Sequence, residues 1–423
     1  FNDHHYQYGY WISAAAMAGL YDGAWSSPAT AGSGWVSPTS YGAAIDQLVK
    51  DIAYDPAQAA SFYSDNQNLM YFAKLNFFDQ WAGHGWADGI QATIAGGNSG
   101  HNENSIGEAL QGYASVVLWG MATQRKEIVD LGIYLYATTA YAMDSYFFDK
   151  NLNYKKGQTP SVAFVPTTTS TTNPQYPVGS AFIDFTIHSE DGMGNPTSSG
   201  TPKISQAVLN YSADFGQTPE NIKLITAFPC SMWSLVFGRN PAYLNAWNAS
   251  MDTCPFNHTI TSTVQVSTAC WQTAFVANMN MLRALGGNAS AFGIKQTTAC
   301  PPYATPTPTP YEYMLNLFSM WGCPPWGSTG GAFVDPSQSI NEVLHFLHII
   351  DHYGAPEWGV YGRCSTDPNA LVFTAAFTKG GTTTYFAFNP TLTALEVKFY
   401  NVLTQAEIPG TTLTVQPKRW SKI

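Results

Sequence analysis

The sequence predicts a mainly α-helical fold, a toroid of paired helices with a small antiparallel β unit at its C-terminal end. Two observations carry this. Apolar segments of helical length recur, separated by Gly-, Ser-, Pro- and Asn-rich turns, across most of the chain. From about residue 367 the pattern switches to the two-residue alternation of strands. The resulting division is an α/α body over 1–366, holding a Thr/Pro/Gly-rich insertion at about 157–202, and a β-rich segment over 367–423 packed on it.

Each element has its own signal. "YGYWISAAAMAGLY" (8–21) is apolar on most sides, as a buried helix is. "SYGAAIDQLVKDIAYD" (40–55) has helical spacing, with Ser40 placed to cap and Asp46 further in. "IGEALQGYASVVLWGMAT" (106–123) and "EIVDLGIYLYATTAYAMDSYFFD" (127–149) are long helices. The insertion surrounds one strand-like run, "SAFIDFTIH". Helical patterns return in "NIKLITAFPCSMWSLVFG", "PAYLNAWNAS", "CWQTAFVANMNMLRALGG" and "SQSINEVLHFLHIIDHYG". "TPTPTP" at 305–310 interrupts them as an extended spacer. The tail reads as four strands, "ALVFTAAF", "TTTYFAFNP", "ALEVKFYNV" and "TTLTVQP".

Composition narrows the function. The 423 residues suffice for a sizeable core. Only 11% are charged, against roughly 25% in ordinary soluble domains, while 14% are aromatic. Sparse charge with many aromatics, amides and hydroxyls suits a neutral, hydroxyl-rich ligand such as a sugar. The net charge of −10, with no basic stripe, argues against nucleic acid and anionic membrane. No run of about 18 apolar residues predicts a membrane span. Phe1 opens directly into a motif with no leader, as expected of a mature or truncated product.

Six cysteines, at 230, 254, 270, 300, 323 and 364, include no CxxC, which favours disulfides over zinc. Four Asn-x-Ser/Thr sites, at Asn210, Asn248, Asn257 and Asn288, fit the same secreted or cell-surface setting.

Three stretches hold candidate chemistry. "FNDHHYQYGY" places Asp3 beside two imidazoles and three tyrosines. A carboxyl surrounded by aromatics is held protonated more readily, as a general acid requires. "FFDQWAGHGWADG" (77–89) offers an aromatic platform, Trp81 and Trp86, with His84 as a polar clamp. "GHNENSIGEA" (100–109) holds two carboxylates, Glu103 and Glu108. Five residues turn a helix by about 500°, so these two cannot share one helical face. They converge if Glu103 lies in the loop before the helix. "HH" and "HFLH" lack third and fourth ligands, so no metal or cofactor is expected.

These stretches together resemble the glycoside hydrolase family 81 endo-β-1,3-glucanases. "FNDHHYQYGYWISAAA" is similar to the family's Asn-Asp-His-His signature, and "AGHGWADG" to its Gly-His-Ser-Trp-Ala-Ser-Gly. "NENSIGEALQGYASVVLWG" is similar to its Asn-Gln-Glu-Ser-Ser-Ser-Glu-Ala helix. "TPENIKLITAFPCSMWSLVFGRNPAYLNAWNA" and the pair "TTTYFAFNPT" and "GTTLTV" extend the likeness toward the C-terminus. The resemblance implies an (α/α)6 barrel that cleaves β-1,3-glucan with inversion. Asp3 is then the general acid, with His4, His5 and Tyr8 binding sugar near it. His84 and Trp86 line the cleft.

The chain departs from the family at telling places. Aligned from Glu108 without gaps, Asn104 stands where the family has its first Glu, and Glu103 where it has Gln. Asn cannot take a proton from water, so the base falls to Glu103 or Glu108, with Asn104 left to bind sugar. Gln7 replaces a third imidazole, and Ile106 and Gly107 replace serines. The family's N-terminal β-sandwich has no counterpart, so a missing N-terminal module or self-association is expected. The leading expectation is a secreted β-1,3-glucan hydrolase. The alternative is a catalytically impaired, glycosylated structural or carbohydrate-binding protein on the same scaffold.

Overall fold

A computed structural model describes residues 4–21, 41–62, 72–85, 89–92, 98–102, 105–143, 227, 229–239, 241, 244–245, 276–292 and 340–423. The Ser40 cap, the strand-like run at 180–188, the insertion and the Thr-Pro spacer lie outside the described residues. The chain divides into two compact units, one of 1–89, 108–142 and 356–423, the other of 90–107 and 143–355.

The first unit begins with α1 (His4–Tyr21) and α2 (Gly42–Ala53). α1 buries His5, Tyr6, Gly9, Ile12, Ala15, Ala16, Gly19 and Leu20 along one side. Its other edge is exposed through Trp11, Met17 and Tyr21. The apolar sequence therefore does not make α1 buried all round. α2 is plainly amphipathic, with Ile45, Val49 and Ile52 buried at helical spacing.

α3 (Ile106–Thr123) and α4 (Lys126–Ala142) form a tight helical hairpin. Gln124 takes a left-handed φ of 59°, and Arg125 N–H donates to the Gly120 carbonyl at 2.9 Å. This is the Schellman ending that lets a chain reverse within two residues. The helices then close to backbone contact. A Cβ at Gly120 would fall 2.7 Å from the Val129 nitrogen, and one at Gly132 would fall 2.7 Å from the Val117 nitrogen. Antiparallel pairing of this kind is what the repeated helical segments predicted.

Two short ribbons precede α3: β1 (Phe78–Asp79) with β2 (His84–Gly85), and β3 (Gly89–Ala92) with β4 (Asn98–Asn102).

After β5 (Ala355–Pro356), the tail holds β6 (Val360–Cys364), β7 (Phe373–Lys379), β8 (Thr382–Phe388), β9 (Leu395–Asn401), β10 (Leu413–Val415) and β11 (Trp420–Lys422). They form two sheets, ordered β10-β9-β6 and β11-β8-β7-β5. The β7–β8 turn is Gly380-Gly381, both at positive φ, the backbone that a two-residue hairpin of matching twist needs. Alternate residues face inward, so Cys364, Ala387, Val397, Phe399, Leu413 and Val415 share one core.

The second unit includes α5 (Val276–Leu285), α6 (Ile340–Tyr353) and 3-10 segments at Met232–Arg239 and Ala289–Phe292. Met281, Leu282, Leu285, Val343, Phe346 and Leu347 are buried there. The helical pattern of "SMWSLVFG" folds as the 3-10 segment, with Ser231 and Ser234 side chains bonding locally to backbone, the competition that turns short Ser-containing stretches away from α-helix.

Candidate active site

The first and third helices meet without side chains between them. A Cβ on Gly9 would lie 2.8 Å from Gly112 Cα, and one on Gly112 would lie 2.6 Å from the His5 carbonyl oxygen. No rotamer change relieves a clash with backbone. This close crossing brings Tyr10 of α1 to Glu108 in the first turn of α3, and the Tyr10 hydroxyl donates to Glu108 Oε1 at 3.0 Å. The helix N-terminus favours the negative charge at that position. Gly112→Ala is expected to cost about 1–3 kcal/mol, the range for overpacking a closed contact. Chemical unfolding of the variant checks this, and a loss below about 0.5 kcal/mol would contradict the closeness of the crossing.

The start of α1 carries the paired imidazoles, and they have opposite surroundings. His4 is part-exposed. Its Nδ1 lies 2.5 Å from Asp51 Oδ2 on α2, and its ring stacks on Tyr8 one turn later at 4.6 Å. His5, expected among the sugar binders, is fully buried. It packs against Phe77 and edge-on to Tyr113. Burial pushes its pKa down from 6.5 to about 4, opposed by the backbone of Asn76 and Ile52. His5 therefore stays neutral and acts from within the core.

The sign of the resulting pH effect follows. Between about pH 6.5 and 4 the unfolded chain takes up a proton at His5 that the folded chain refuses, so stability falls as pH drops through that window. The full effect is on the order of 3 kcal/mol. His5→Phe is expected to flatten that slope, measured as unfolding free energy at pH 7 and pH 4.5. An unchanged slope would assign it to other groups.

Asn76 joins these parts: its side-chain amide donates to the Asp51 carbonyl at 3.1 Å. The residues on either side of it, Leu75 and Phe77, hold φ of 47° and 56°. For bulky side chains this costs of order 1–3 kcal/mol each and persists only where surrounding contacts impose it. Leu75 N–H donates to the Tyr54 carbonyl at 2.8 Å, which fixes this loop to the end of α2.

The β1–β2 hairpin carries the second stretch. Asp79 caps its turn, accepting from Trp81 N–H at 2.8 Å and Ala82 N–H at 3.1 Å, and Gly83 turns at φ 77° against α4. Trp81 stands at the tip, 96% exposed. It fills no core, and its ring is open to a ligand. His84 is buried, its Nδ1 2.7 Å from the Gly85 carbonyl, and burial lowers its pKa.

Asp3, Glu103, Asn104 and Trp86 lie outside the described residues, as do Asn210, Asn248 and Asn257. The chain bounds Glu103 and Asn104 between β4, ending at Asn102, and α3, starting at Ile106. Asn288 follows α5 and is half-buried. Cys364 is a buried free thiol. Among the described residues, no group of three or more His, Cys, Asp or Glu is placed to hold a metal ion, and no helix is long and apolar enough to cross a membrane. Sequence reasoning missed two residues of the site, Tyr10 and Asp51. Tyr10 had a usable signal, since it lies in the same motif as Asp3. Asp51 had none.

The family model described as the glycosyl hydrolase family 81 C-terminal domain matches residues 1–162. The glucan endo-1,3-beta-D-glucosidase of Acetivibrio thermocellus is 38% identical over 148 residues, covering 35% of this chain and 16% of that protein. Residues 1–162 are thus similar to the C-terminal domain of glycosyl hydrolase family 81.

Other relatives of the chain bear similar names. The glucan endo-1,3-beta-D-glucosidase of Thermobifida fusca is 36% identical over 146 residues, 34% of this chain and 16% of its own. The primary septum glucan endo-1,3-beta-D-glucosidase of Schizosaccharomyces pombe is 27% identical over 195 residues, 44% of this chain and 17% of its own. The matched stretch is thus a small part of each relative's length. A solved family 81 glycoside hydrolase from Clostridium thermocellum shares the fold, with a TM-score of 0.54 and 24% identity over 100% of this chain and 42% of that one.

Proposed function

We propose that the chain is the barrel portion of an endo-β-1,3-glucan hydrolase that inverts configuration. Asp3 gives its proton to the leaving glycosidic oxygen, and Glu103 or Glu108 takes one from the attacking water on the opposite face. The observation that carries this reading is the Tyr10–Glu108 bond. It ties a carboxylate to the helix that begins directly after Asp3, across a glycine crossing that leaves the two helices little freedom. Names of the relatives support the substrate class.

In this reading His4, Tyr8, Trp81, Trp86 and Asn104 contribute to the glucan cleft, His84 is a buried part of the β1–β2 hairpin and not a direct sugar contact, and the paired helices close into an (α/α)6 ring. A neutral, flat polysaccharide suits an exposed Trp and few charges. The same reading places the protein outside the cell with glycans on its Asn-x-Ser/Thr sites, which an endoglycosidase mobility shift on the secreted protein checks.

The test is release of reducing ends from laminarin by the wild-type chain against Asp3→Asn. Hydrolysis by the wild type that falls to background in the variant is expected. Equal release by both sinks the assignment of Asp3. Proton NMR of the first product distinguishes an α anomer, as inversion requires, from a β anomer.

A further inference from the structure

We propose that Asp51 is a positioning residue that fixes which ring nitrogen of His4 meets the glucan. This rests on the glucan-hydrolase reading of the site. His4 Nδ1 faces Asp51 Oδ2 at 2.5 Å, a short contact between side chains 47 residues apart. In either charge state of the ring, Nδ1 carries the proton directed at the carboxylate, so Nε2 is the nitrogen left for a sugar hydroxyl. The ring cannot swing away freely, because its face is stacked on Tyr8 at 4.6 Å. His4 remains part-exposed while its neighbour His5 is buried, so only His4 of the two offers a nitrogen to a ligand.

Asp51 is itself held. Its backbone carbonyl accepts from the Asn76 side chain at 3.1 Å, and Asn76 sits between the two left-handed residues Leu75 and Phe77. A loop kept in that conformation, with its central side chain on Asp51, supports a carboxylate whose place matters. A carboxylate that orients a histidine also sets the direction of its free nitrogen, which is the logic of carboxylate–histidine pairs in other enzymes.

The experiment uses the full chain with 15N-labelled histidine. The wild-type His4 ring, identified by its loss in His4→Gln, is expected to show Nδ1 protonated; an Nε2–H ring with bare Nδ1 in the wild type overturns the proposal without any variant. Asp51→Asn is expected to change that ring signature and to lower kcat/KM on laminarin by roughly 10- to 100-fold, the range for removing an orienting partner. Asp51→Glu, which restores the carboxylate, is expected to recover much of both. An Asp51→Asn variant that keeps the wild-type ring signature, or cleaves as fast as the wild type, overturns it as well. Absence of hydrolysis by the wild type would instead remove the hydrolase reading, and the ring signature together with titration of laminari-oligosaccharides into wild type and Asp51→Asn then decides the role of Asp51. Equal affinity in that titration counts against it.

Discussion

Glu108→Gln is expected to lower kcat on laminarin by roughly 10²–10⁴-fold, the contribution of a positioned acid–base group. The substitution keeps size and an acceptor oxygen for Tyr10, so packing at the α1–α3 crossing is preserved and the loss reports on charge and basicity. Glu103→Gln run beside it assigns the base. Azide replaces a missing carboxylate base as an external nucleophile, so it restores turnover in whichever variant lost the base and leaves the other unchanged. Tyr10→Phe removes only the orienting hydroxyl and is expected to cost about tenfold or less. Turnover by Glu108→Gln within a factor of ten of the wild type would remove Glu108 from the reaction.

Asp46→Ala is expected to cost about 3–5 kcal/mol of stability, the range for breaking a buried ion pair from one side. Asp46 is fully buried. Arg125 binds it with both terminal nitrogens, at 2.8 and 2.7 Å, and the Trp119 indole N–H donates to it at 2.7 Å. Thr123 completes the cluster, accepting from Arg125 Nε at 2.8 Å while donating to the Trp119 carbonyl at 2.7 Å. The network thus links α2 to the turn between α3 and α4. Deleting the carboxylate takes from a nearly buried guanidinium the anion that offsets its desolvation. Urea unfolding measures the loss. The double variant Asp46→Leu/Arg125→Met, which removes both charges, should recover much of it. A single-variant loss below 1 kcal/mol would contradict a largely buried pair.

Local elements were the most legible part of the sequence. α2 and α4 follow from apolar spacing, because each buries one face, while α3 follows from its long apolar run, being buried on nearly every side. The C-terminal strands follow from alternation, and Gly380-Gly381 marks its hairpin directly. The β3–β4 ribbon escaped notice, since "GIQA" and "NSGHN" contain almost none of the branched residues that mark strands. α1 reads as buried throughout because Trp11, Met17 and Tyr21 on its open edge are as apolar as its core face.

Within the candidate site, the motif residues could be located but their pairing could not. Tyr10 and Glu108 are 98 positions apart, His4 and Asp51 are 47, and Asp46 and Arg125 are 79. No local period encodes such partners. The two imidazoles of "HH" look equivalent in sequence. A rotation of about 100° per residue sends one to the surface and the other into the core.

The division of the chain has a consequence for its synthesis. The unit that holds α1, α2 and α4 is assembled from 1–89, 108–142 and 356–423. The Trp420 indole of the last strand reaches the Tyr21 hydroxyl at the end of the first helix, 3.3 Å away. On a ribosome adding about 5–20 residues per second, the 143–355 stretch takes roughly 10–40 s to emerge. For that time the earliest helices exist without the strands that complete their unit, and Tyr21 waits in water for a partner not yet translated.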